Sequence, residues 1–271
     1  KTAATAGDVC KILTVFFNNK LKANGADQWN SYLCYALQAI TNNGKTAATA
    51  GDVCTILTVF FNNKLNANGK DLWDAILAIT KNNKTAATAG DVKTILTVFF
   101  KHGLNANGKD LWDAILAITK NNKTAAKAGD VCKILTVFFK HGLNANGADQ
   151  WNGYLDYALQ GTTKNGETAA TAGDVCKILT VFFNHGLHAN GKDKWGSYLW
   201  YALQTITTNG KTAAKAGDVV TILTVFFKHG LHANGKDKWG TYLWYALQAI
   251  TRDLKTAATA GDVCKILTVF F

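Results

Sequence analysis

A chain of 271 residues, 48% of them apolar, is too hydrophobic for a disordered polymer, and it has no uninterrupted apolar run of the roughly 18 residues a membrane helix needs. Proline and methionine are absent, and the net charge of +11 rests on lysine, since Arg252 is the only arginine and Glu167 the only glutamate. Specific readers of bases and carboxylates rely on the bidentate fork of arginine, so this charge predicts a diffuse electrostatic surface rather than a reading head.

The first seventeen residues, KTAATAGDVCKILTVFF, set the pattern of the whole chain. They return with few changes at Lys45, Lys84, Lys123, Glu167 and Lys211, and Lys255–Phe271 is a seventh copy. The chain tiles into units 1–44, 45–83, 84–122, 123–166, 167–210 and 211–254 and a partial unit 255–271, with periods of 44 and 39. A repeated unit too small to bury its own apolar face must stack on its neighbours, so the expectation is a single repeat array over 1–271. Opening and closing on the same seventeen residues, with no start methionine or signal peptide, the sequence reads as a stretch of a longer array.

In the first half of each unit, Val9, Ile12, Leu13, Phe16, Phe17 and Leu21 recur at helical spacing, while Lys11, Thr14 and Asn18 fall on the other side. The β-rich ILTVFF competes as a strand, but twelve residues of unbroken 3.6 periodicity outweigh it. Thr5 and Asp8 have capping-box spacing, and Lys127 and Lys215 replace the threonine in two copies. Asn24-Gly25, present as ANG in every complete unit, reads as the stop of that helix, and Asp27 as the N-cap of the next. Trp29, Tyr32, Leu33, Ala36, Leu37 and Ile40 then form a second apolar stripe that ends at Thr41-Asn42-Asn43-Gly44. The two 39-residue units should have a shorter second helix whose last residues are rotated relative to the others. The predicted fold class is all-α: tandem two-helix repeats stacked as an α-solenoid or superhelical filament.

Chemistry-bearing residues recur in the pattern but do not converge. His185 with His188, and His229 with His232, have the i, i+3 spacing that puts two imidazoles on one metal, although Gly186 and Gly230 loosen the backbone between them. These four are weak metal candidates, and solvated helix ends explain them better. Cys10, Cys54, Cys132, Cys176 and Cys264 share one register and Cys34 stands alone, with no CxxC pair. Stacked helices hold equivalent residues about 8–10 Å apart, beyond the roughly 7 Å a disulfide spans, so free thiols, or a few bonds between chains, are expected. Asp8 and Asp27 with their counterparts read as helix caps rather than an acid–base pair. Asn83-Lys84-Thr85 and Asn122-Lys123-Thr124 match the glycosylation sequon, as chance allows in a chain rich in Asn and Thr. Trp29, Trp73, Trp112, Trp151, Trp195 and Trp239 read as one core register, whereas Trp200 and Trp244 stand where other units have Cys34 and Asp156. With Lys192, Lys194, Lys236 and Lys238 around them, Trp200 and Trp244 are the candidate contacts for another subunit or a ligand.

Repeat ends normally carry polar caps, yet the chain finishes on LTVFF, leaving Phe270 and Phe271 as candidate interface residues. The expectation is therefore a non-enzymatic structural protein, without metal or cofactor, whose partner is itself. It would associate end to end into a fibre, sheath or coat, a role that favours an extracellular or cell-surface setting. The alternative is an α-solenoid scaffold that binds nucleic acid or an anionic polysaccharide through its lysine and aromatic side chains.

Overall fold

The computed structural model describes residues 2–19, 26–143, 148–187, 194–231 and 236–271, with backbone alone at 26–28, 148–149, 194 and 236–238. Among the described residues there are thirteen α-helices and no strand. The first helices of the units are α1 (Ala6–Asn18), α3 (Ala50–Asn62), α5 (Ala89–Lys101), α7 (Ala128–Lys140), α9 (Ala172–Asn184), α11 (Ala216–Lys228) and α13 (Ala260–Phe270). The second helices are α2 (Ala26–Ile40), α4 (Gly69–Ile79), α6 (Gly108–Ile118), α8 (Ala148–Gln160), α10 (Lys194–Ile206) and α12 (Lys236–Ile250).

The helices form two compact bodies, one of residues 1–121 with 133–143 and one of residues 122–132 with 144–271. In the first body α1 packs on α3 and α3 on α5, while α2 packs on α4 and α4 on α6. In the second, α9, α11 and α13 stack in one row and α8, α10 and α12 in another. Each body is thus an all-α solenoid of two-helix repeats, as the periodicity predicts.

The first helices start as the capping spacing dictates. Thr5 Oγ1 accepts from the Asp8 amide at 3.2 Å and donates to its carboxylate at 2.7 Å, and Thr49, Thr88, Thr171 and Thr259 repeat the arrangement. Lys215 makes no such side-chain bond at the start of α11. Their apolar stripe is the core: Val53, Ile56, Leu57 and Phe60 are wholly buried, and so are Val219, Ile222, Leu223 and Phe226.

These helices stop earlier than the Asn-Gly dipeptide suggests. In α5 the C-cap is His102, and Gly103 follows at φ +92°. Its amide donates to Phe100 O, and the Leu104 amide donates to Phe99 O. That is a Schellman closure, and Leu104 and Phe99 are both buried over it. α7, α9 and α11 close the same way through Gly142, Gly186 and Gly230, whereas α3 uses Lys64 at φ +72°. The ANG motif does the opposite of stopping a helix in the short units. Asn68 and Asn107 are N-caps whose side chains accept from the Asp71 and Asp110 amides at 2.9 Å, and Gly69 and Gly108 open α4 and α6. Asn24-Gly25 lies outside the described residues, but α2 already starts at Ala26, so Asp27 belongs to its first turn rather than to its cap.

Each second helix ends in three successive left-handed residues, such as Asn42, Asn43 and Gly44 at φ +48°, +54° and +73°. Left-handed backbone costs a non-glycine residue roughly 1–2 kcal/mol, which explains the asparagines and glycines here. Hydrogen bonds hold the turn: the Asn43 amide donates to Gln38 O at 2.8 Å and the Gly44 amide to Thr41 Oγ1 at 3.1 Å. The chain then runs extended into the next first helix. A single backbone bond fastens each such lead-in to the second helix of its own unit: Ala4 to Ala39, Ala48 to Ala78, Ala87 to Ala117, Ala126 to Gly161, Ala170 to Thr205 and Ala214 to Ala249.

That fastening fixes where the short units lost their five residues. Ala39 and Ala78 are equivalent, so α4 and α6 end in register with α2, and the residues are missing from the start of the helix, not from a rotated end. The wholly buried Leu33, Leu72, Leu111, Leu155 and Leu199 then align. Trp73 and Trp112 therefore occupy the position of Cys34, Asp156, Trp200 and Trp244, not that of Trp29 as the sequence pattern implies. The sequon residue Asn83 is half-buried in a left-handed turn, at the position other units give to glycine.

Candidate interface between repeats

One aromatic joint recurs within each body where a repeat meets the next. The first phenylalanine of each FF pair inserts edge-on against the second phenylalanine of the preceding unit. Phe60 meets Phe17 at 5.6 Å, Phe99 meets Phe61 at 5.4 Å, Phe138 meets Phe100 at 5.3 Å and Phe226 meets Phe183 at 5.6 Å. In the long units the first tryptophan of the second helix completes the socket, with Trp29 6.2 Å from Phe60 and Trp195 5.9 Å from Phe226. Such edge-to-face aromatic pairs add to the burial of large apolar surface. The inserted phenylalanines Phe60, Phe99, Phe138, Phe182 and Phe226 are fully buried.

In the first unit the same surface is exposed among the described residues. Ile12, Val15, Phe16 and Tyr35 are 57%, 60%, 44% and 66% exposed, although Ile56 and Phe60, the counterparts of Ile12 and Phe16, are at 0%. Between α1 and α2 lies an apolar groove of about 350 Å³, walled by Ile12, Phe16, Phe17, Tyr32 and Tyr35. Among the described residues, Trp244, Leu254 and Phe271, in the last complete unit or after it, are also strongly exposed. Contiguous exposed apolar surface of this kind marks an interaction site.

Among the residues singled out in the sequence, Trp200 is half-buried with its ring 5.2 Å from Tyr245, and Trp244 is 47% exposed. Phe270 is buried in the interior socket, 5.5 Å from Phe227 and 5.3 Å from Trp239, while Phe271 is wholly exposed and stacks on Trp239 at 6.4 Å. Lys192 lies outside the described residues, as do the side chains of Lys194, Lys236 and Lys238 and the whole of His188 and His232. The rings of His102, His141 and His229 lie flat on Phe61, Phe100 and Phe183 of the preceding units at 4.5, 4.8 and 4.6 Å. These histidines serve the joint between repeats, and His185 is the C-cap of α9. No cluster of three or more metal-ligating side chains forms among the described residues.

The sequence pattern conceals buried carboxylates. Asp71 and Asp110, counterparts of Asp27 and read with it as helix caps, are 0% and 1% exposed, and Asp113 is 7% exposed. Asn68 Nδ2 donates to Asp71 at 2.7 Å, and the Asn30 amide, turned to suit its neighbours, donates to both carboxylate oxygens at 3.0 and 3.2 Å. Burial, opposed by the Asn68 bond, pushes the Asp71 carboxyl up to about 6, and burial raises that of Asp110 as well. A Cβ on Gly69 would come 2.5 Å from a carboxylate oxygen of Asp110, so a larger residue there would displace that buried side chain. The clue was the direct sequence Asn-Gly-Lys-Asp-Leu, which leaves one turn between cap and core. In the second body, Asp156 lies in a polar cleft of about 120 Å³ with Gln160, Tyr201 and Asn209, and burial raises its carboxyl although Gln160 donates to it at 2.6 Å. Burial also pushes the Cys54 and Cys132 thiols up, and that of Cys176 to about 11, which keeps the nucleophilic thiolate scarce. No disulfide joins the six cysteines.

No helix among the described residues is long and apolar enough to cross a membrane. Comparison with protein-family models, with curated proteins and with solved structures finds no match to this chain.

Proposed function

We propose that this is a structural repeat protein that associates with copies of itself through the kind of joint its repeats already make with one another. The observation that supports this reading is the recurrence of one buried aromatic joint between near-identical repeats, Phe60 on Phe17, Phe99 on Phe61 and Phe226 on Phe183. The two faces of a repeat differ, so such a contact is heterologous, and a heterologous contact that does not close on itself propagates into a filament. Its core is apolar and aromatic, so salt leaves it intact.

Negative-stain electron microscopy at low and high ionic strength tests this. Long uniform fibres at both are expected. Dispersed single particles at high protein concentration would overturn the reading. If such particles captured nucleic acid or sulfated polysaccharide with an affinity falling steeply in salt, the binding scaffold would replace it.

A further inference from the structure

The second helices of neighbouring units face each other at one recurring position, and its contents differ from pair to pair. Between α10 and α12 it holds two rings, Trp200 and Tyr245, packed at 5.2 Å. Between α2 and α4 it holds Cys34 and Asp74 beside a cleft of about 170 Å³, and the Asp74 carboxylate takes the Lys70 ammonium at 3.2 Å. Asp113 of α6 likewise takes Lys109 at 2.6 Å. In both pairs the lysine stands four residues before the carboxylate, one turn back on the same helix face.

Between α8 and α10, Asp156 stands where the next pair has Trp200 and Tyr201 where it has Tyr245, and a polar cleft of about 120 Å³ stays open. Gln204 and Thr205 line its α10 wall, and Gln160 donates to one Asp156 oxygen at 2.6 Å. A carboxamide is a neutral donor and supplies no countercharge. Asp156 is half-buried, and among the described residues no lysine or arginine pairs with it. Four residues before it, where Lys70 and Lys109 stand relative to their carboxylates, α8 has Asn152, whose buried Oδ1 accepts no hydrogen bond. The same face of α8 thus carries an uncompensated negative charge and a second acceptor without a donor, and each is costly to hold away from water.

We propose that the Asp156 cleft binds a primary ammonium at the end of an alkyl chain, which supplies from outside the cation that Lys70 and Lys109 supply to Asp74 and Asp113. An ammonium brings three donors and no acceptor, which suits a cleft lined by a carboxylate, carboxamides and hydroxyls. Tyr201 in the same wall offers a ring to the cation and to its alkyl stem. The volume is below the roughly 150 Å³ that encloses a benzene molecule, so the cleft admits an aminoalkyl end and not a sugar ring with its hydroxyls. A free diamine and a lysine side chain of another chain present this same group. The inference is independent of self-association, because every residue it uses lies between two neighbouring helices of one body.

The test titrates the full chain with diaminobutane, with Nα-acetyl-lysine amide and with the uncharged butanediol, followed by calorimetry and ligand-observed NMR. The net charge of +11 repels cations in general, so saturable binding of an amine reports a particular site. At least one of the two amines should bind with a dissociation constant on the order of 1 mM, as befits a ligand of few heavy atoms. Butanediol should bind at least about tenfold more weakly, for want of a charge-assisted bond. Asp156→Asn keeps the shape of the cleft and should weaken the amines by about tenfold or more. Asp156→Trp installs the residue that the next unit has here and should abolish their binding, with circular dichroism confirming that the helices persist. Preference for the lysine amide supports the proposal with a protein side chain as the source, and preference for diaminobutane supports it with a free diamine. The proposal is overturned if butanediol binds as well as the amines, if Asp156→Asn binds them undiminished, or if neither amine binds saturably.

Discussion

Two stretches with the same seventeen residues differ sharply in burial. Ile12 of α1 is 57% exposed, while Ile266 of α13 is at 0%; Phe16 is 44% exposed, while Phe270 is at 7%. The second phenylalanines reverse the order, Phe17 being half-buried against Trp29 at 5.1 Å while Phe271 is fully exposed. Local sequence thus makes the helix, its cap and its stripe, but whether that stripe counts as core is set by the neighbouring repeat. α13 has a preceding hairpin against it and lacks a second helix; α1 has a second helix and lacks the preceding hairpin. Stability in such an array is the sum of repeat terms and nearest-neighbour terms, and these two copies separate the two contributions.

The largest expected effect comes from removing one ring at two equivalent positions. Phe226→Ala deletes a fully buried ring held by Phe183 and Trp195 and should cost about 3–5 kcal/mol in urea unfolding. Phe16→Ala deletes the same ring where it is 44% exposed and should cost roughly 1 kcal/mol, while sharply raising the concentration needed for assembly. Equal costs at the two positions would mean that α1 is covered in solution by something the isolated chain already supplies.

The second prediction changes stability without touching either copy. The Asp71 carboxyl is raised to about 6 in the folded chain, against about 3.9 when unfolded. Between those values the folded state holds the extra proton, so its contribution to stability is complete below about pH 4 and is lost as pH rises through 6. Asp71→Asn keeps an acceptor oxygen for Asn30 and Asn68 but does not titrate. It should flatten the stability profile over that window and stabilise the chain at pH 7 by on the order of 1 kcal/mol. The assembly threshold should not move. A shift in that threshold would show that global stability, rather than the exposed face of α1, governs association.

The residues that announced themselves were those whose roles are local. The stripe Val9, Ile12, Leu13, Phe16, the Thr5–Asp8 cap and the turn Thr41–Gly44 each depend on contacts within one unit, and each formed as its spacing predicts. The misread elements depend on alignment between units. Matching tryptophan to tryptophan put Trp73 with Trp29, whereas the bond from Ala48 to Ala78 shows that short and long units share their ends, not their starts. The same slip hid the burial of Asp71, because a carboxylate after Asn-Gly looks like a cap until the helix start is known to lie one turn from the core. The exposed face of α1 could not be read locally at all, since its residues are those of every interior copy.

The smallest effect is expected at Leu254, third residue of the left-handed turn between α12 and α13, at φ +63°. Gly44, Gly166 and Gly210 hold this position in other long units at φ +73°, +74° and +74°. Leu254→Gly relieves about 1 kcal/mol of left-handed strain but frees the unfolded chain by nearly as much, so the isolated protein should change by only a few tenths of a kcal/mol. Inside each body these glycines lie against the following turn: a Cβ on Gly44 would collide with the Asn82 side chain, and one on Gly210 with Asp253. Equilibrium urea unfolding of Leu254→Gly checks the near-cancellation, and a change larger than about 1 kcal/mol in either direction would mean that contacts of the Leu254 side chain, rather than its backbone, set the cost.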